Sequence, residues 1–280
     1  MTSFTASADG TRIAFDRIGD GSPIILVHPA YGHRAFDPPM AQLAELLASR
    51  FSVLTYDRRG RGESGDTTPY GVSREVDDIA ALLEEAGGAA CLYGMSSGAV
   101  LALEAAISGL AMNALALYEP PFITDDSRLP YPDDYVAHLR QLVASGRRGD
   151  AVAYAMENVG LPKAAVDQMR SQPFWPAFER VAHTLVYDGM VMDATQRGHP
   201  LATQRFKQIN IPALVIVGSK APAWARNSAE ALVAALPQGK LQVIEADFHA
   251  VDANTLAPIL IDFFVGAERT TSLHRERRRG

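Results

Sequence analysis

The feature that most narrows the fold of this chain is a set of short apolar runs separated by stretches of helical periodicity. The runs are Ile24 to Val27, Val53 to Tyr56, Ala90 to Tyr93, Ala114 to Tyr118, Ala213 to Val217 and Leu241 to Ile244. A strand with one wet face alternates apolar and polar residues. A run without alternation marks a strand buried on both faces. Between the runs, Met40 to Leu47, Val76 to Leu83, Val100 to Ile107, Asn227 to Leu236 and Leu256 to Phe264 repeat their apolar residues at helical spacing. On the helix over Val76 to Leu83, Asp77, Asp78 and Glu84 are expected off the apolar face. Strands alternating with helices specify an α/β fold: a mostly parallel sheet flanked by helices. A hairpin precedes it, with alternation over Phe4 to Ser7 and Thr11 to Arg17 and a two-residue turn at Asp9-Gly10.

The rhythm stops between residues 120 and 206, which offer no buried-strand pattern. Helix-like stretches (Asp134 to Ala144, Ala151 to Val159 and Phe178 to Asp188) are punctuated there by prolines, from Pro120-Pro121 to Pro176. This reads as a helical cap inserted between two sheet strands. The expected division is a core of residues 1–119 and 207–266, a cap of 120–206, and a basic, disordered tail of 267–280.

The 280 residues, 48% of them hydrophobic, suffice for one large core. A net charge of -6 opposes a nucleic-acid partner, which needs a basic face. Only the tail, with Arg275, Arg277, Arg278 and Arg279, is strongly basic, and it reads as a solvated end. The single cysteine, Cys91, lies in an apolar run and is expected to be a buried structural thiol. No signal-peptide pattern and no run long enough to span a bilayer is present, so a cytoplasmic protein without membrane contact is expected.

Chemistry enters at Gly94-Met95-Ser96-Ser97-Gly98. This is a G-x-S-x-G sequence between a strand run and a helix of small residues, the context in which it holds a serine on a sharp turn. The two glycines are expected where a side chain would strike neighbouring backbone. The serine oxygen then stands above the sheet at the positive end of the helix, and the Ser97 N–H is placed to hold an oxyanion.

Three further segments extend the pattern: Leu26-Val27-His28-Pro29-Ala30, Tyr56-Asp57-Arg58-Arg59-Gly60-Arg61-Gly62-Glu63-Ser64 and Phe248-His249. With the serine turn, they resemble the α/β-hydrolase superfamily from Phe4 to Phe264. The resemblance implies Ser96 as nucleophile, His249 as base, and an oxyanion hole formed by the N–H groups of Ala30 and Ser97. His28 would order its loop, and Asp57 would shape its turn. Two departures stand out. Pro29 occupies the usual glycine position of the oxyanion turn, although the donor there is the next residue, Ala30. The family's usual acid site, after the fifth apolar run, reads Gly218-Ser219-Lys220-Ala221-Pro222 and holds no carboxylate. The resemblance to one branch of the haloalkane dehalogenases points instead to Glu119, at the end of the Ala114 to Tyr118 strand. Its carboxylate is then expected on His249 Nδ1. Asp125, Asp126 and Asp247 are weaker candidates.

The implied activity is that of a cofactor-free serine hydrolase acting on an ester, thioester or lactone carbonyl of a small apolar metabolite. The route would run through an acyl-enzyme. Dehalogenases and epoxide hydrolases of this fold need an aspartate at the position of Ser96. Two alternatives stay open: a non-hydrolytic use of the same site (carbon–carbon cleavage, cyclisation or acyl transfer), and a ligand-binding pseudo-hydrolase. No metal-ligand spacing and no nucleotide fingerprint are present. The sequence leaves homo-oligomerisation open, and it leaves open which of the cap's aromatic and methionine residues line the pocket.

Overall fold

The computed structural model describes residues 2–277, with side chains to residue 269. Its centre is an eight-stranded sheet: β1 (Ser3–Ala6), β2 (Arg12–Ile18), β3 (Ser22–Val27), β4 (Phe51–Tyr56), β5 (Ala90–Met95), β6 (Met112–Tyr118), β7 (Ala213–Gly218) and β8 (Gly239–Ile244). The spatial order is β1-β2-β4-β3-β5-β6-β7-β8. β1–β2 and β2–β4 pair antiparallel, and every later pair is parallel. The interior strands bury both faces, as their unbroken apolar runs require. Ile25, Val27, Leu92, Leu117 and Val215 pack on one side, under α2 (Val72–Glu85), α3 (Ser97–Ile107) and α9 (Ala223–Ala235). Ile24, Leu26, Tyr93, Ala116 and Ile216 pack on the other, under α1 (Pro38–Leu47) and α10 (Ala253–Arg277).

The cap lies between β6 and β7: α4 (Tyr135–Ala144), α5 (Arg148–Val159), α6 (Lys163–Arg170), α7 (Trp175–Arg180) and α8 (Leu185–Met192). It has an apolar core of its own, built on Leu139, Val152, Val166 and Trp175. Among the described residues, no helix is long and apolar enough to cross a membrane. Cys91 is buried, as expected.

Several expectations need correction. The hairpin loop has three residues rather than two: Ser7 N–H donates to Thr11 O and Gly10 N–H to Ser7 O, with Gly10 at φ 81° supplying the left-handed residue. β8 is not buried on both faces. It is the edge strand, with Leu241 38% and Val243 49% exposed, because apolar composition alone does not distinguish an edge from a centre. The single helix expected over Phe178 to Asp188 is two helices. A short 3₁₀ turn at Ala182–Thr184 separates them, where the Thr184 hydroxyl donates back to Val181 O. α6 has no counterpart in the sequence reading, because Val166 is its one buried residue. α10 continues past Phe264 to Arg277, so residues 267–277 of the expected tail carry helical backbone. Arg278, Arg279 and Gly280 lie outside the described residues. Finally, Asp78 does not sit on a wet face of α2: it and Glu75 are each 1% exposed.

Candidate active site

The chain runs from β3 to β4 on one side and later returns to β5 on the other. The carboxyl ends of β3 and β5 therefore splay apart at the point where parallel sheets leave a crevice. The loops that follow β3, β5, β6 and β8 carry Ala30, Ser96, Glu119 and His249 to that rim. Ala30, Ser96, Ser97 and His249 line a single cavity there, and Tyr31, Arg128, Tyr131, Tyr135, Asp188 and Met192 share it. Of the cap residues the sequence leaves undecided, Tyr131, Tyr135 and Met192 thus face the site. The cavity is narrow, about 40 Å³, room for only a few waters.

Backbone strain is concentrated at this rim. Among the described residues, four that are not glycine have positive φ: Tyr31 (66°), Ser96 (53°), Glu119 (46°) and His249 (56°). Three line the cavity and the fourth lies behind His249. Such conformations cost of order 1–3 kcal/mol each and persist where the surroundings enforce them. The enforcement at Ser96 is visible in its flanking glycines. A Cβ on Gly94 would come within 2.4 Å of Gly98 O, and one on Gly98 within 2.4 Å of Val27 O and 2.6 Å of His28 O. The turn is therefore pressed against the end of β3. Ser96 N–H is held by Tyr118 O at 3.0 Å. Ser97 opens α3, so its N–H is one of the helix's unpaired first-turn donors. Among the described residues, neither the Ala30 nor the Ser97 N–H has an acceptor.

His249 presents a buried Nε2 with no hydrogen-bond partner. Burial pushes its imidazole down to about pKa 4, against a smaller opposing pull from a hydrogen bond between the ring and the Glu119 main chain. The Glu119 carboxylate acts elsewhere. Oε2 accepts the main-chain N–H of His249 at 2.6 Å, and Oε1 accepts that of Gly218 at 2.9 Å. The expected carboxylate-to-Nδ1 bond is thus replaced by two bonds to backbone. The extra methylene of glutamate lets the side chain reach the loop after β8. Burial raises the Glu119 carboxyl, with those two N–H groups opposing.

Asp125 bonds Ser127 and Asn227, and Asp247 is exposed, so neither reaches His249. Lys220 pairs with Glu245 at 2.9 Å, away from the imidazole. His28 Nδ1–H donates to Asp37 Oδ2 at 3.0 Å, and Asp37 caps α1. Asp57 accepts the N–H groups of Arg34 and Glu63, each at 2.8 Å. Both residues shape loops, as the resemblance implies.

The sequence reading misses a buried ionic cluster beneath the cavity. Arg58 grips Glu75 through two bonds of 2.8 Å and reaches Asp188 Oδ1 at 2.7 Å. Arg61 reaches Asp188 Oδ2 at 2.6 Å, and it also donates to Pro29 O at 2.6 Å and Gly32 O at 3.2 Å. The Ser97 hydroxyl donates to Asp188 Oδ1 at 2.8 Å. Two arginines thus face two carboxylates, and the charges cancel. Burial pushes the Asp188 carboxyl up, but Arg61 and Arg58 outweigh it and hold it below the usual carboxylate range. One cap carboxylate therefore braces the residue after Ser96 and, through Arg61, the Pro29–Gly32 turn. A signal existed in the sequence: Asp188 is the only charge in the apolar stretch Leu185 to Met192.

A model of the alpha/beta hydrolase family matches residues 24–253. The chain belongs to the alpha/beta hydrolase family. An alpha/beta hydrolase from Sphaerobacter thermophilus DSM 20745 is 49% identical, with a TM-score of 0.86 over 94% of this chain and 100% of that one. The uncharacterized hydrolase YraK of Bacillus subtilis (strain 168) is 34% identical over 107 residues, a match that spans 37% of this chain and 38% of that relative. An enol-lactonase from Burkholderia xenovorans LB400, at 20% identity, shares the fold: the TM-score is 0.66 over 94% of this chain and 100% of that one. This hydrolase is accordingly an enzyme. Among its described residues, no group of His, Cys, Asp and Glu side chains is arranged to hold a metal ion.

Proposed function

We propose that the protein is a serine hydrolase that cleaves an ester, thioester or lactone of a small molecule through an acyl-enzyme. The observation that carries this reading is the shared cavity: Ser96 on its strained turn, the unpartnered Nε2 of His249, and two N–H groups without acceptors all belong to it. Ser96 Oγ attacks the carbonyl carbon as His249 Nε2 takes its proton. The Ala30 and Ser97 N–H groups hold the oxyanion. The tetrahedral adduct collapses, the imidazolium returns its proton to the leaving oxygen or sulfur, and the acyl group stays on Ser96. Water, deprotonated by His249, then releases the acid. The Glu119 carbonyl would keep the proton of neutral His249 on Nδ1, the tautomer that leaves Nε2 free to act as base. Its carboxylate would hold the backbone that carries the ring.

A fluorophosphonate tests the reading, because it phosphonylates a serine only when that serine is activated. Labelling is expected at Ser96 alone, read by peptide mass. Its rate should also report the base. An imidazole must be neutral to take the proton, and burial holds this one near pKa 4. The labelling rate should therefore be flat from about pH 5 to 7 and half-maximal near pH 4, where an ordinary histidine would fall away near 6.5. A half-point at the ordinary value would show the imidazole to be solvated. Absence of Ser96 labelling at every pH would refute the hydrolase mechanism.

Glu119→Gln probes the positioning role. An amide presents one acceptor and one donor to two N–H groups, so one main-chain N–H loses its partner. The imidazole should shift, and kcat should fall by roughly 10²-fold, with KM less affected. Undiminished kcat would remove Glu119 from the machinery.

A further inference from the structure

The cavity that holds Ser96 and His249 also holds a cation with nothing to neutralise it. Arg128 enters from the loop after β6. Its guanidinium lies over the Trp224 ring at 4.4 Å and near the Tyr131 ring at 5.4 Å, and its Nη2 donates to Asn158 O. Ring faces attract the charge without using its donors. Nη1 is buried and has no hydrogen-bond partner. Among the described residues, no carboxylate forms an ion pair with Arg128. The other charged residue on the cavity wall, Asp188, is already spent on Arg58 and Arg61. The Tyr31 hydroxyl, on the same wall, is a second buried polar group without a partner. The rest of the lining is largely apolar: Pro121, Ala155, Val159, Leu185 and Met192. A buried cationic donor left unmade is costly, and its stacking fixes it in place for an anion to meet.

We propose that Arg128 is a carboxylate-recognition residue, and that the substrate carries a carboxylate in addition to the carbonyl that Ser96 attacks. This rests on the serine-hydrolase reading for the identity of the attacked group, but not for the recognition of the anion. The guanidinium supplies the planar, charge-assisted donor that a carboxylate accepts, and the Tyr31 hydroxyl offers a second donor. The largely apolar remainder of the lining suits a small acid half-ester, acyl thioester or lactone acid. The carboxylate could sit on the acyl side or on the leaving group, and the two are separable by experiment.

The kinetic test uses paired esters of equal shape. On the acyl side, p-nitrophenyl hemisuccinate and hemiglutarate are compared with 4-methylpentanoate and 5-methylhexanoate esters, in which an isopropyl group replaces the carboxylate. On the leaving-group side, acetoxy-propionate and acetoxy-butyrate are compared with the matching branched alkyl acetates. In one of the two series, wild-type kcat/KM should favour the acid by about 10- to 100-fold, the worth of a desolvated charge-assisted bond. Arg128→Met, which keeps a chain to lie on Trp224, should erase that ratio, and Arg128→Lys should retain part of it. A ratio near one in both series, or a ratio unmoved in Arg128→Met, overturns the proposal. The binding test needs no turnover. Monomethyl succinate and monomethyl glutarate are titrated calorimetrically into folded Ser96→Ala protein with and without Arg128→Met. Binding that weakens about 10-fold or more on loss of Arg128 supports the subsite even if no ester is hydrolysed, which isolates failure of the hydrolase reading. Binding that ignores Arg128 overturns it even if esters are hydrolysed.

Discussion

Ser96→Ala is expected to fold like the parent and to lose turnover by about 10⁴- to 10⁶-fold, the scale set by loss of the nucleophile in other serine hydrolases. The change removes one oxygen. It keeps the Cβ, so the strain at φ 53° is the same before and after, and Ser96 is only half-buried. Its N–H bond to Tyr118 O also survives. Stability should therefore move by less than about 1 kcal/mol. Circular dichroism and a thermal melt check the fold, and kcat on the best ester of the panel checks the chemistry. A well-folded Ser96→Ala protein with parental kcat would exclude Ser96 as nucleophile and leave the site to non-covalent chemistry.

The second large effect is expected far from any reacting atom. Asp188→Ala leaves Arg58 and Arg61, each 1% exposed, facing the single carboxylate of Glu75. Removing one member of a buried ionic cluster strands charge that cannot be resolvated, and typically costs about 3–5 kcal/mol. In a chain of this size that lowers the melting temperature by roughly 6–15 °C. The activity should fall as well, by roughly 10²-fold, because Asp188 holds Ser97 directly and the Pro29–Gly32 turn through Arg61. Asp188→Asn keeps the shape and one acceptor but not the charge, and should lie between the two. A urea melt separates stability from activity. If Asp188→Ala melts with the parent and keeps its kcat, the cluster is incidental to the site.

The same cluster explains why the cap is more than a cover. α8 contributes Asp188 to a network whose other members come from the loop after β4 and from α2. The lid over the cavity and the residues under it are bonded through one carboxylate. Any motion of α8 that admits a substrate larger than the present cavity must carry or break those bonds.

The parallel sheet and the serine turn were legible in the residues themselves, and the family resemblance pointed to the histidine after the last strand. Unbroken apolar runs in the middle of the sheet are strands buried on both faces, and a G-x-S-x-G between strand and helix leaves a serine no other place to stand. The collisions that an added Cβ would meet at Gly94 and Gly98 are the physical form of that rule. What the residues did not reveal depends on partners distant in sequence. Asp78 looks like a solvent-facing acid on an amphipathic helix until Arg59 is folded against it. Leu241 and Val243 look like core until β8 proves to have only one neighbour. The resemblance placed Glu119 beside His249, but only the folded loop shows its carboxylate on the main-chain N–H groups of His249 and Gly218. Arg128 belongs to no motif of the sequence; only the assembled cavity wall shows that its Nη1 is buried with nothing to bond. Local patterning determines where a strand, a helix or a strained turn must form, because those preferences act over a few residues. Charge balance and hydrogen-bond satisfaction are settled between segments a hundred residues apart, as Arg58 and Asp188 are, and only the tertiary structure decides them.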